Sequence, residues 1–181
     1  MKKTITFLVT TIICIGLSTI LLAQEKDSKS PIISVSKEAK TKLKAVQTIA
    51  IFLNGNDSLL TRIVEDTIGI YLSNSGFMVT SREILEKTVG EEMTKKRKEK
   101  VGRAVSALEV GKAVNADSIL TGTVIIESGD GKSLLIKIAS FQLADVASGE
   151  NLLNILFEPE KGKSFSGIAQ EVVDILKQNM E

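Results

Sequence analysis

Apolar residues recur at strand and helix spacings through most of the chain after residue 47. The compact apolar run 48–53 predicts a central strand. Beyond it, one helical face is predicted by apolar positions that recur every three or four residues: Leu60, Ile63, Val64, Thr67, Ile68, Tyr71 and Leu72. Gly76 stands where a left-handed residue ends a helix, and residues 77–80 predict a second, short strand. A capping box at Thr80 and Glu83 predicts a second helix after it.

Near residue 115 the spacing of apolar residues changes a second time from that of a helix to that of a strand. Ala104, Ala107, Leu108, Gly111 and Val114 share one helical face, whereas the dense branched residues from Ile119 to Ile126 indicate a buried strand. Two further strands, 134–146 and 151–157, follow tight turns. The last apolar stripe predicts a terminal helix: Phe165, Ile168, Ala169, Val172, Val173, Ile175 and Leu176.

These elements define a fold class. Strand and helix alternate in the first half, which implies parallel pairing, whereas the turns of the second half imply antiparallel pairing. We therefore predict an α/β domain with a mixed sheet: two parallel βα units followed by an antiparallel meander, helices packed on the sheet, and a carboxyl-terminal helix. Strict alternation in strand 134–146 places Ile136 on the same face as Ile138, Ser140 and Gln142, and apolar residues on both sides predict partial cover of each face.

The amino-terminal residues 1–23 are predicted to be a signal peptide. Lys2 and Lys3 precede an apolar core, and Ala23 stands before a polar break at Gln24, where cleavage is expected. Cleavage would place the chain in the periplasm or outside the cell. The alternative is an uncleaved membrane anchor, because the apolar run nearly spans a bilayer core of about 30 Å.

A polar tether, 24–46, is predicted between the signal peptide and the α/β domain, 47–181. Its opening is polar, and Pro31 disfavours helix before it. Ile32, Ile33 and Val35 suggest a short edge strand within it, and residues 37–45 suggest a weak amphipathic helix.

Composition excludes several classes of chemistry. The chain has no histidine and no tryptophan, and its one cysteine, Cys14, lies in the predicted signal peptide. Disulfides, histidine-dependent catalysis and histidine-ligated zinc are therefore excluded in the mature chain. The formal net charge of +1 gives no global field that would attract nucleic acid.

Two short motifs imitate catalytic or nucleotide-binding signatures. Ser34 and Lys37 have the S-x-x-K spacing of acylating serine enzymes, but the partner motifs of those enzymes are missing. Gly131, Lys132 and Ser133 imitate the end of a phosphate loop, but Ile126 occupies the position of the required first glycine and a strand follows. We therefore expect no nucleotide and no cofactor.

One basic run interrupts the body of the chain: Lys95, Lys96, Arg97, Lys98 and Lys100. It is a candidate surface for an acidic partner or an anionic lipid. The alternative is a solvated helix end, since Glu91 and Glu92 stand four residues before Lys95 and Lys96.

A second candidate site consists of loop residues: Asn54, Asn56, Asp57 and Asp117. We expect them near the carboxyl edge of the parallel strands, where such folds bind ligands, which would suit an enzyme or a small-ligand binder. The same residues are equally well explained by turns and helix caps.

Several of these segments together resemble the CsgG/LpoB-like family, whose fold is related to the amino-terminal domain of TolB. The resemblance rests on the Ile-Ala-Ile-Phe strand at 49–52, on 75–82, on Gly111-Lys112 with 116–124, and on 144–150. It covers roughly 48–151. Two features depart from the family: no lipidated cysteine follows the signal, and residues 94–102 are too short for the membrane hairpins of secretion members.

The resemblance implies a non-enzymatic, exported binding or assembly protein of the cell envelope. Such a protein would dock on a partner such as a cell-wall synthase, although the sequence does not identify that envelope protein. The alternative is an accessory or oligomeric subunit of an outer-membrane secretion or assembly complex, in which the chain forms a homo-oligomer. No nucleic-acid partner is expected.

Overall fold

The computed structural model describes residues 30–36, 38–80, 83–88, 90, 107–128, 134–159 and 162–180. The strands in these residues are β1 (Ile32–Val35), β2 (Thr48–Gly55), β3 (Met78–Thr80), β4 (Ser118–Ser128), β5 (Leu134–Asp145) and β6 (Asn151–Phe157). The helices are α1 (Ala39–Ala45), α2 (Ser58–Asn74), α3 (83–88 and 90), α4 (Ala107–Ala113) and α5 (Phe165–Met180). None of these helices is long and apolar enough to cross a membrane.

The strands form one mixed sheet in the order β1-β6-β5-β4-β2-β3. β2 lies parallel to both β3 and β4, as the alternation of strands and helices predicts. The pairs β4–β5 and β5–β6 are antiparallel, so the predicted meander is confirmed. The fold class is the α/β class predicted from the sequence.

The main core lies between one face of the sheet and the helices α1, α2 and α5. α2 contributes Val64, Ile68 and Leu72, which are fully buried, and α5 presents its predicted apolar stripe to the same core. A smaller core covers one end of the opposite face, where residues of α3 and α4 pack on Ala50 and Ile119. Within the described residues, helices cover one face of the sheet along its length and the other face at one end.

Two helices end at a residue in the left-handed region, and for α2 this geometry was predicted. Gly76 follows α2 with a φ of 94°, and Asn115 follows α4 with a φ of 54°. Both values lie in the left-handed region that closes a helix, which glycine and asparagine adopt most readily. Local sequence therefore determines where these two helices stop.

The short edge strand and the weak helix expected within residues 24–46 are present as β1 and α1. β1 pairs with β6 at the edge of the sheet, and Ala39 and Leu43 of α1 are fully buried in the main core. The folded domain therefore begins no later than Ile32, because the apolar side of a weakly amphipathic helix finds its partner in α5 and β6. The predicted signal peptide lies outside the described residues.

The prediction that Ile136 lies on the same face of β5 as Ile138 is wrong. The pairing of β4 with β5 shifts by one residue between Ile125 and Ile126, so that Ile138 pairs with Ile125 but Ile136 pairs with Ile126. This bulge turns Ile136 into the main core beside Ala139, while Ile138 stays exposed on the opposite face. Strict alternation cannot anticipate such a shift.

Candidate functional site

The predicted loop site does not assemble. Asn54 lies near the carboxyl end of β2, where it pairs with Thr123 of β4, whereas Asp117 comes just before β4 begins. Because β2 and β4 are parallel, Asp117 lies at the opposite edge of the sheet, about 20 Å from Asn54 at roughly 3.3 Å per residue. The expectation that Asp117 lies at the carboxyl edge is wrong.

Asn56 and Asp57 make hydrogen bonds that hold the turn after β2. The Asn56 side chain donates to the carbonyl of Ile126 (2.8 Å) and accepts from its backbone N–H (2.9 Å). Asp57 is the N-cap of α2, since its carboxylate accepts from the backbone N–H of Leu60 at 2.9 Å. These hydrogen bonds match the alternative interpretation, in which the two residues stabilise a turn and cap a helix.

The basic candidate surface, Lys95, Lys96, Arg97, Lys98 and Lys100, lies outside the described residues. It stays a prediction.

The two motifs around Asp117 and Asp145 meet in space. The backbone N–H of Val146 donates to the Asp117 carbonyl at 2.9 Å, and Gly111 of α4 packs directly on the Val146 side chain. Beside this contact, α1 and the two turns enclose a cleft of about 820 Å³, with these polar residues in its lining: Lys42, Lys112, Asn115, Asp117, Asp145 and Ser148. Two of the sequence segments that carry the family resemblance, 111–124 and 144–150, therefore lie side by side.

Charged groups along this cleft bind one another. Lys42 Nζ lies 2.7 Å from Glu150 Oε2 and 3.0 Å from Ser148 Oγ, and 3.9 Å from Asp145 Oδ2. Its hydrogen bond to Glu150 raises the pKa of Lys42, with smaller coulombic contributions from Glu150 and Asp145. The hydrogen bond from the Ser148 hydroxyl lowers the pKa of Asp145, against the opposing effect of its partial burial. This network ties α1 to the turn between β5 and β6.

A different surface emerges on the sparsely covered side of the sheet. Two rows of side chains run across five neighbouring strands, one side chain from each strand in each row. The first row is Ser34, Asn154, Gln142, Thr121 and Phe52. The second row is Ile32, Leu156, Ser140, Thr123 and Asn54. We call these two rows the open sheet face. It spans about 19 Å at roughly 4.8 Å per strand, and a depression of about 510 Å³ lies over it.

No residue of the open sheet face carries a charge, although charged residues make up 25% of the chain. Exposed apolar side chains stand among the polar ones: Ile32 is 65% exposed and Phe52 is 36% exposed, and Ile138 continues the surface at 45%. Of the four predicted loop residues, only Asn54 lies on this face. The signal for it in the sequence was the uncharged polar alternation at 121, 123, 140 and 142.

Comparison with known proteins gives likeness at low identity. No protein-family model matches the chain, and no curated protein matches it. Among solved structures, the PelC dodecamer from Paraburkholderia phytofirmans has 13% identity and a TM-score of 0.48, over 83% of this chain and 97% of that chain. The LpoB C-terminal domain from Salmonella enterica has 16% identity and a TM-score of 0.44, over 68% and 96%. A lipoprotein from Neisseria meningitidis has 17% identity and a TM-score of 0.41, over 72% and 94%.

LpoB domains are thus among the solved structures that this chain resembles. The resemblance to the LpoB part of the CsgG/LpoB-like family was predicted from the sequence. The likeness to CsgG stays a prediction. At these identities and TM-scores, none of the likenesses assigns a family or a role.

Proposed function

We propose that this chain is a non-enzymatic, exported binding or assembly protein of the cell envelope, which docks on a protein partner through the open sheet face. The observation that carries the proposal is the stretch across five strands on which no side chain is charged. Fully buried centres of protein interfaces are depleted in charged residues, because an unpaired charge is costly to remove from water.

The open sheet face also suits docking mechanically. Its side chains stand on strands that are hydrogen-bonded to neighbours and backed by the main core. Binding would therefore order few groups, and the part of the entropy cost that comes from ordering side chains and loops would be small. Exposed Phe52, Ile32 and Ile138 supply apolar contacts, and hydroxyl and amide groups around them supply hydrogen bonds.

The absence of enzymatic activity is supported by composition and by the hydrogen bonds of the acidic side chains. The mature chain from Gln24 contains no histidine and no cysteine. Asp57 and Asp117 accept bonds from backbone N–H groups, and Asp145 accepts from Ser148. Placement in the periplasm rests on the predicted signal peptide, and a cell-wall synthase is the partner we propose first.

A crosslinked pull-down from native cell envelopes tests the proposal. The chain from Gln24 to Glu181 with a carboxyl-terminal tag is compared with Ser140→Lys and Thr123→Lys, which place a charge on the open sheet face. Gln178→Lys on the exposed side of α5 is the matched control. Circular dichroism checks that each variant is folded.

We expect a peptidoglycan synthase to be recovered by the parent chain and the control, and lost with both sheet-face variants. Recovery that is unchanged by Ser140→Lys and Thr123→Lys would overturn the docking face. Recovery of outer-membrane secretion components alone would overturn the synthase as partner and favour an accessory subunit of such a complex.

A further inference from the structure

Helix α2 is apolar on two opposite sides. Its inner side buries Val64, Ile68 and Leu72 in the main core. Leu59, Ile63 and Ile70 lie on the outer side, with exposed fractions of 67%, 42% and 60%. At 3.6 residues per turn these three positions fall within about 40° of one another and point away from the core.

The outer apolar residues form a stripe along the helix, with Asp66 at its edge between Ile63 and Ile70. It runs about 16 Å along the helix at 1.5 Å per residue from Leu59 to Ile70. Single exposed apolar residues are common on protein surfaces, but an ordered apolar stripe opposite a core face is typical of a helix with a second packing partner. The stripe is separate from the open sheet face, because α2 packs on the other side of the sheet.

The charges beside the stripe favour one kind of partner. Arg62 and Asp66 are both exposed, one turn apart, and lie on the same side of the stripe. Consider a second copy packed antiparallel, with its Ile70 against Leu59 of the first. Along the helix axis, Arg62 of each copy then lies within one residue of the height of Asp66 of the other copy. Two equivalent ion pairs result, whereas a parallel two-fold pair would place these charges on opposite flanks of the contact, where they could not pair.

We infer that the outer face of α2 is a self-association surface, on which a second copy of this chain packs antiparallel about a two-fold axis. The pairing is self-complementary in shape, since Leu59 meets Ile70 at both ends, and in charge. Such a short contact belongs among interfaces that bury less than about 1,200 Å², which associate weakly and exchange readily. The inference does not depend on the proposed function.

Sedimentation equilibrium of the chain from Gln24 to Glu181 tests it over a range of micromolar concentrations. We expect the mean mass to rise toward that of a dimer with concentration. Ile63→Lys, near the middle of the contact, should weaken dimerisation by about 30-fold, and Ile70→Lys, at its end, should weaken it by a smaller factor. Ile84→Lys, a matched substitution at an exposed isoleucine of α3 outside both surfaces, should leave dimerisation unchanged.

A charge exchange tests the orientation. Arg62→Glu alone and Asp66→Arg alone should weaken the dimer, because each places like charges together across the two-fold axis. The double variant should restore it, because every pair is reversed. A rescue would not follow from a merely apolar contact.

Cysteine crosslinking gives an independent reading, because Cys14 is absent from the chain that starts at Gln24. Oxidation of a mixture of Leu59→Cys and Ile70→Cys proteins should give a mixed disulfide-linked dimer in excess of either protein linked to itself. A monomer at all concentrations, or a dimer unaffected by Ile63→Lys and Ile70→Lys, would overturn the self-association surface. Self-linkage of Leu59→Cys in excess would overturn the antiparallel arrangement.

Discussion

Asp117 and Thr48 bind each other reciprocally at the beginning of two parallel strands. The Thr48 backbone N–H donates to Asp117 Oδ2 at 2.7 Å, and the Asp117 backbone N–H donates to the Thr48 carbonyl at 3.0 Å. The same carboxylate oxygen also accepts from the backbone N–H of Gln47 at 3.0 Å. Asp117 therefore holds the beginning of β2 against the beginning of β4, which is a structural role.

Removing this carboxylate should destabilise the domain. Asp117→Ala leaves the N–H groups of Gln47 and Thr48 without their acceptor, so we expect the free energy of unfolding to fall by about 1–3 kcal/mol. Asp117→Asn keeps one acceptor oxygen and should lose less. Urea unfolding followed by circular dichroism measures both, and equal losses for the two variants would contradict this role.

The hydrogen bonds between Ser148 and Asp145 should make the free energy of unfolding depend on pH in the acid range. They lower the pKa of Asp145 below its ordinary value of 3.8, chiefly through the Ser148 hydroxyl. Because the pKa is lower in the folded state, the stabilisation is fully present above about pH 4 and is lost as the pH falls through the folded-state pKa. Denaturation at a series of pH values between 6 and 2 should show this loss.

Ser148→Ala is the matched variant for that pH dependence. It removes the largest cause of the pKa shift, so the pKa of Asp145 should rise and the acid-dependent loss of stability should become shallower. Titration of the Asp145 carboxyl by NMR reads the pKa directly. An unchanged carboxyl pKa in Ser148→Ala would refute the assignment.

Close packing of α4 on the Asp145 turn should make Gly111 intolerant of a side chain. A Cβ at Gly111 would stand 2.7 Å from Val146 Cγ2. Gly111→Ala should therefore lower the free energy of unfolding by about 1–3 kcal/mol, the usual range for overpacking. In a double-mutant cycle, Val146→Ala should relieve part of that cost, and strictly additive losses would show that the two residues do not clash.

Ser118 should tolerate loss of its hydroxyl. Its side chain is fully buried in β4, and its Oγ has no hydrogen-bond partner within the described part of the chain. Burying an unpaired hydroxyl is unfavourable, so Ser118→Ala should leave thermal stability unchanged or raise the free energy of unfolding by up to about 1 kcal/mol. A loss larger than that would reveal a partner for the hydroxyl.

Local pattern in the sequence determined the element order and the fold class. β6 was predicted at its observed bounds, β2 was recognised as a compact apolar run, and α2 and α5 were recognised because one side of each is apolar at the helical period. Parallel and antiparallel pairing followed from the length of the connections, since tight turns cannot join parallel strands. Such features depend on residues close together along the chain.

Contacts between distant residues were decided only by the tertiary structure. α1 reads as a weak helix, yet Leu43 is buried and Lys42 binds Glu150, 108 residues away. The bulge opposite Ile125 and Ile126 places Ile136 in the core. The parallel direction of β2 and β4 places Asp117 and Asn54 at opposite edges of the sheet. The open sheet face draws two side chains from each of five strands, so its lack of charge becomes visible only when those strands lie side by side. Sequence fixes the period of each element, whereas a surface built across elements depends on their register and order.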